Sequence, residues 1–255
     1  MPFQKIQTEK LSTSVVRQIE QLILRGILRP GERLPSEREL SDRLGVSRPS
    51  LRDAVAELQA KGLLSTRAGA GVFVAEVLGS AFSPALTELF ARHDEAVFDY
   101  LSFRRDVEAL AAERAARLGT DSDLAVVQAT FDQMANAKRR NAEDDAELDA
   151  QFHSAIIDAS HNVVMLHMMR SMFDLLRSGV FYNRQIIFEQ RTSRDALLDQ
   201  HRSINDAIQA RNPDAARTAV IAHLNFVEQA LRDQHRSETN EAIARQKLSQ
   251  THGQK

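Results

Sequence analysis

Four residues in the C-terminal part of the chain have the types and spacing of metal ligands. Asp149 and His153 lie four apart in a helical pattern, so they project from one face. His201 runs with Leu197, Leu198, Ile204 and Ile208, and His223 with Val220, Leu224 and Val227. Both histidines thus lie on or beside an apolar stripe that a bundle turns inward. One carboxylate and three imidazoles converging there make a site for a divalent metal: Zn2+ first, with Ni2+ or Mn2+ as alternatives. The pattern alone also fits histidines hydrogen-bonded inside a core without an ion, and spacing does not decide between the two.

A second set of residues, near the N-terminus, suits DNA. Arg48 and Arg52 are four apart at the start of a predicted helix, and an arginine can donate two hydrogen bonds to guanine O6 and N7. Ser47, Ser50 and the helix N-terminus suit phosphate. Arg38, one helix earlier, is placed for a base edge or a phosphate. Ser36, and Arg67, Gly69 and Gly71 on a predicted hairpin, complete the candidate DNA-contacting residues. Arginines that merely solvate a helix surface are the bland alternative.

The elements that must position these groups follow from punctuation. Val15, Ile19, Leu22 and Ile23 predict an amphipathic helix from about Ser12 to Arg25, stopped by Gly26. Ser36 followed by Glu39 predicts a capping box that opens a short helix, ended at Gly45. Ser47 caps the next helix, with Pro49 in its first turn and Leu51, Ala54, Val55 and Leu58 on its buried face. Two short helices joined by Leu44-Gly45-Val46-Ser47 form a helix-turn-helix. Residues 63–67 and 72–75 read as strands around Ala68-Gly69-Ala70-Gly71, a wing.

Beyond residue 76 no strand signal recurs. Breaks at Gly119, near Asn141, at Ser160–Asn162, near residues 190–193 and at Asn212-Pro213 divide the rest into six or seven helices. In residues 104–117, Val107, Leu110 and Ala111, with Leu118 beyond, are expected toward the core. The fold class is therefore mainly α: a winged helix-turn-helix of three helices and a β-hairpin joined to an all-α antiparallel bundle. The expected divisions are a head over 1–76, a linker over 77–84, a helical body over 85–234 and a frayed polar tail over 235–255.

Composition limits the function classes. The chain has no Cys, which excludes disulfides, Cys-based metal sites and thiol catalysis. Met1 opens on polar sequence with neither a signal peptide nor a transmembrane run, so the expected address is the cytoplasm, with no membrane partner. Residues 1–76 hold twelve Lys and Arg against nine Asp and Glu, whereas the remainder holds 21 against 26. A mildly basic head on an acidic body fits one module on DNA and another kept off it.

The run from Leu28 to Leu40, with Pro30-Gly31 and Leu34-Pro35-Ser36-Glu37-Arg38-Glu39, then Leu44 to Arg52 and Gly62 to Val74, resembles the DNA-binding signature of the GntR family. The body resembles the FadR-like branch and its FCD domain. The carriers are Phe103 to Ala112, Asp149 to His153, Ala159 to Asn162, Gln200-His201 and Ala222-His223-Leu224. Within that family the likeness is greatest to regulators of lactate utilisation and of the pyruvate dehydrogenase complex.

The resemblance implies base-contacting roles for Arg38, Arg48 and Arg52 and a minor-groove role for Gly69. It implies that Asp149, His153, His201 and His223 bind a metal, and that Arg104 faces the carboxylate of a small effector rather than forming an exposed pair with Glu108. Arg184 is a weaker candidate of the same kind. The implied function is a homodimeric, metabolite-responsive regulator of double-stranded DNA carrying a palindromic operator, with lactate or pyruvate as leading effectors. Two rivals are a metal-dependent hydrolase or lyase acting on a small acid, and a DNA-binding protein whose body only dimerises.

Overall fold

A computed structural model of the protein describes residues 10–75, 83–136, 142–177 and 191–252. The chain divides into two compact units, Met1–Ala81 and Phe82–Lys255.

The first unit begins with α1 (Leu11–Leu24), whose buried face is Val15, Val16, Ile19 and Ile23. Next come α2 (Glu37–Leu44) and α3 (Arg48–Ala60). Leu51, Ala54 and Leu58 of α3 join the α1 face, Leu34, Leu64 and Val74 in one apolar core. Gly45 ends α2 at φ +64, a left-handed conformation that costs a residue with a Cβ. The Ser47 hydroxyl accepts from the Ser50 amide at 3.3 Å, and Pro49 occupies the first turn of α3.

The capping box at α2 is only half made. Ser36 Oγ accepts the Glu39 amide at 3.3 Å, but the Glu39 carboxylate turns forward to Arg43 at 2.6 Å. An i,i+4 ion pair competes successfully with the reciprocal cap.

Strands β1 (Leu64–Arg67) and β2 (Gly71–Val74) pair antiparallel, Leu64 opposite Val74 and Arg67 opposite Gly71. A short third partner, absent from the sequence reading, lies along the wing: Arg33 bridges Phe73, and the Leu34 amide donates to the Val72 carbonyl at 2.9 Å. The segment is too short, between Pro30-Gly31 and Pro35, to show a strand period.

Among the described residues the second unit has seven helices: α4 (Pro84–Arg92), α5 (Asp94–Leu118), α6 (Asp121–Asn136), α7 (Ala142–Ala159), α8 (Val163–Arg177), α9 (Arg191–Gln209) and α10 (Pro213–His252). Central α5 packs on α10, α7 and α9. Its Ala109, Ala111, Ala112, Ala115 and Ala116 are all buried, and such small side chains let neighbouring backbones come close. The α5–α6 turn is equally tight: a Cβ on Gly119 would lie 2.6 Å from both the Ala115 carbonyl and Leu124 Cδ1.

Two expectations for the body need correction. Leu110 and Leu118 do not face the core; they are 41% and 45% exposed. The inward face of α5 is instead Leu101, Arg104, Glu108, Ala112 and Ala115, and Leu110 lies about half a turn round from Glu108. Two charges hold places that an apolar-in rule gives to leucine. The frayed tail is also corrected, because α10 runs on to His252 although residues 235–248 are all exposed. Good helix formers and i,i+4 contacts, Gln234 to Glu238 and Glu241 to Arg245, sustain it. Among the described residues no helix is long and apolar enough to cross a membrane.

Candidate functional site

In the head, Arg48 opens α3 and Arg52 follows one turn later, both exposed, as is Arg38 on α2. Ser47 Oγ lies 2.9 Å from Ser50 Oγ, which gathers two hydroxyls at the helix N-terminus beside Arg48. Arg52 Nε donates to Glu37 Oε2 at 2.9 Å. The hydrogen bond from Arg52, helped by the charges of Arg52 and Arg48, holds the Glu37 carboxyl below its ordinary range. On the wing, the Arg67 guanidinium lies 4.5 Å from the centre of the Phe73 ring, and Gly69 and Gly71 both have positive φ. Arg33, which the sequence reading passed over, packs against the wing so closely that a Cβ on Gly71 would come within 3.1 Å of its Nε.

In the body, α7 supplies Asp149 and His153, α9 supplies His201 and α10 supplies His223. All four are buried, and one donor atom from each lies within 4.8 Å of every other. His201 Nε2 is 3.3 Å from His153 Nε2 and 3.1 Å from Asp149 Oδ1. Phe152 presses against the His153 and His201 rings, 5.8 and 5.4 Å between centroids, and so walls the cluster with apolar surface.

The outer nitrogens of two of these histidines face polar partners. His153 Nδ1 lies 2.6 Å from Glu108 Oε2, and His223 Nδ1 lies 3.0 Å from Gln200 Oε1. The Gln200 amide oxygen can only accept, so His223 carries its proton on Nδ1, which leaves the Nε2 lone pair for the cluster. Burial, then the neighbouring His201 and His153, push His223 well below the ordinary histidine pKa, against a smaller opposing pull from Asp149. A neutral imidazole is the form that binds a metal. The donor set and these outer contacts fit a divalent ion.

Arg104 is 1% exposed and donates from Nε to Glu108 Oε1 at 2.5 Å. Its guanidinium carbon lies 5.8 Å from the Tyr100 ring and 5.4 Å from the Phe173 ring. Tyr100 in turn donates its hydroxyl to the Met172 carbonyl at 3.4 Å. Burial alone would raise the Glu108 carboxyl, but Arg104 and His153 outweigh it and hold it down at about 2. The exposed Arg104–Glu108 pair is thus excluded. Arg184 lies outside the described residues.

Sequence reasoning missed three partners. Glu108 was read only as the neighbour of Arg104, and Gln200 only as the residue before His201. Asp145 is 4% exposed, one turn before Asp149, with Arg194 Nε at 2.8 Å. The spacing Asp145, Asp149, His153 repeats every four residues and was the available signal for it. A groove of about 450 Å3 lies elsewhere, lined by Leu86, Leu89, Phe90, Tyr100, Phe103 and Met172 among others, and none of the four donors borders it.

Comparison with known proteins places both units. The model for bacterial regulatory proteins of the gntR family matches residues 11–74, and that for the FCD domain matches residues 99–226. The chain belongs to the GntR family.

This GntR-family regulator is 37% identical, over 86% of its length and 85% of the relative's, to an Escherichia coli K12 protein named as the regulatory protein of the L-lactate dehydrogenase operon. It is 33% identical to the Glc operon transcriptional activator of the same strain, over 86% of this chain and 88% of that one. It is 32% identical to the transcriptional regulator LutR of Bacillus subtilis 168, over 82% of this chain and 96% of that one. A solved structure of Streptococcus agalactiae GntR shares the fold at a TM-score of 0.51 and 24% identity, covering 86% of this chain and 99% of that one. These relatives are transcription regulators, not enzymes. The helix-turn-helix is accordingly a DNA-binding module, and the hydrolase or lyase alternative is set aside.

Proposed function

We propose that this regulator senses a small carboxylate, a lactate- or pyruvate-like 2-hydroxy or 2-oxo acid, at a metal held by Asp149, His153, His201 and His223, and that the acid changes the operator affinity of a dimer. The observation that carries this reading is the convergence of four buried donors within 4.8 Å, with Arg104 buried in the same helical unit and joined to His153 through Glu108. When bound, the ion, Zn2+ in first place and Ni2+ or Mn2+ as alternatives, supplies a Lewis-acid centre for the acid's oxygens. Arg104 offers a fork of donors to the carboxylate, and the neighbouring Tyr100 and Phe173 rings keep that pairing away from water. The lactate-operon and Glc-operon names of two relatives point toward a small organic acid.

The head reads DNA through Arg38, Arg48 and Arg52, with Ser36, Ser47, Ser50 and Arg67 on phosphate and Gly69 and Gly71 shaping a wing tip that approaches the minor groove. A twofold dimer matches a palindromic operator. Exposed Phe103 and Leu110 on α5 and Val164 and Met168 on α8 supply apolar surface for a second copy. Effector binding shifts DNA affinity by favouring one arrangement of the body. The expected location is the cytoplasm.

The test is a thermal-shift screen of small carboxylic acids with and without chelator, followed by operator binding with each hit. A metal-dependent rise in Tm with lactate or pyruvate, together with a change in operator affinity, is the expected result. Operator affinity that ignores every acid would leave the body as a dimerisation module alone.

A further inference from the structure

We propose that Arg33, in the segment before α2, is a DNA-phosphate contact: its guanidinium shares the outward face of the wing with that of Arg67, and the two meet the backbone that flanks the minor groove. This contact rests on the wing reading above, which uses Arg67 but not Arg33.

The faces of the wing follow from its register. β2 is the middle strand, with β1 along one edge and residues 31–34 along the other. On that second edge the Val74 amide donates to the Glu32 carbonyl and the Leu34 amide to the Val72 carbonyl, both at 2.9 Å. Arg33 and Ser65 both stand opposite Phe73, and Arg67 stands opposite Gly71. Residues directly opposite one another, and those two apart along a strand, share a face. One face therefore carries Leu34, Leu64 and Val74, all buried in the head core. The other carries Arg33, Ser65, Arg67, Gly71 and Phe73, with no acid among them, and both of its arginines are exposed.

Each arginine reaches along this face to the diagonal position on β2. Arg67 sets its guanidinium carbon 4.5 Å from the centre of the Phe73 ring. Arg33 reaches the other way, toward the turn at 68–70, and lies over Gly71. A Cβ there would come within 3.1 Å of Arg33 Nε and 3.5 Å of Nη2. The bare backbone of Gly71 is thus what seats the Arg33 guanidinium near the wing tip. Among the described residues no hydrogen bond or ion pair engages either guanidinium, whereas Arg43 and Arg52 in the same unit each hold a carboxylate. Two cations seated on one short sheet, with no carboxylate to neutralise them, suit a polyanion. They stand on the hairpin rather than at the N-terminus of α3, so their contact is to the backbone, which positions the protein without reading sequence.

The test is a salt series on the full-length protein with two duplexes, one selected by wild type from a random pool and one unselected duplex of equal length. Arg33→Ala is expected to weaken binding to both by the same factor. It should also lower the slope of log affinity against log salt by about 1, the signature of one lost phosphate contact. A side chain that merely braces the wing would lower the Tm of Arg33→Ala and leave the slope alone, and an unchanged slope overturns the proposal. A loss confined to the selected duplex marks a base contact and overturns it too. Arg67→Ala in the same series separates the two readings. A lower slope in Arg67→Ala with an unchanged one in Arg33→Ala removes the Arg33 contact only. Unchanged slopes in both variants take the wing off the DNA and remove the wing reading as well. If Arg33→Ala does not fold, Arg33→Gln, which keeps more of the side-chain stem over Gly71, decides by the same slope.

Discussion

In the head the working cations stand in water: the Arg52 side chain is 69% exposed and its Glu37 partner 39%. In the body Arg104 is 1% exposed and Glu108 2%. An exposed pair gains little, is screened by salt, and can trade its carboxylate for a phosphate or a base at small cost. A buried pair cannot exchange partners freely, because removing one member strands the other in a medium that solvates it poorly. The head is thus suited to reversible contact with a polyanion, and the body to a fixed internal arrangement.

The sharpest break between the two regions is loss of a donor. His201→Ala is expected to abolish metal retention after dialysis, a larger loss than the tenfold to hundredfold typical of outer contacts, while operator binding without effector survives. Metal analysis and a gel-shift assay on the same sample check both halves. Next in size is Leu58→Ala, which empties part of the head core and costs about 2–5 kcal/mol. Denaturation followed by circular dichroism should show the head melting early, with Zn2+ uptake unchanged. Arg52→Ala removes a surface group and leaves stability alone, but it costs about 1–3 kcal/mol of specific binding and relaxes the base choice at one operator position. A competition assay against scrambled DNA measures this.

The smallest effect sharpens the comparison within the body. Asp123 accepts from the Thr120 amide at 2.8 Å and lies 2.9 Å from His161 Nε2 at the α7–α8 turn. Partial burial acts to raise its carboxyl, but the Thr120 hydrogen bonds and His161 prevail, and the group sits below its ordinary 3.8. A depressed folded-state pKa means that the stabilisation is complete above that ordinary value and vanishes as pH falls through the lower one. The Tm of Asp123→Asn should therefore trail wild type slightly at pH 7 and converge with it in strong acid.

The head was legible because its backbone requirements are written in particular residues. Ser36, Gly45, Ser47 and Pro49 each sit where a cap, a left-handed turn or a first helical turn needs them. What escaped was the non-local strand contact of Leu34 with Val72, and a local competition in which Glu39 takes Arg43 over its own helix start. In the body, helix limits followed from Gly119, Asn162 and Pro213, yet the inward side of α5 did not. Periodicity assigns the interior to leucine, and nothing in spacing says that Arg104 and Glu108 would displace Leu110 to the surface. The donor cluster shows the same limit. Asp149 and His153 share a face by arithmetic, but their meeting with His201 and His223 is a property of how three helices pack. Only resemblance could anticipate it.

Tyr100 gives the body a built-in lamp. The protein has no tryptophan and two tyrosines, Tyr100 and Tyr182, and the Tyr100 ring stands beside the Arg104 guanidinium with its hydroxyl tethered to the Met172 carbonyl. Ultraviolet emission from the unlabelled protein therefore comes in part from a ring packed beside the buried Arg104.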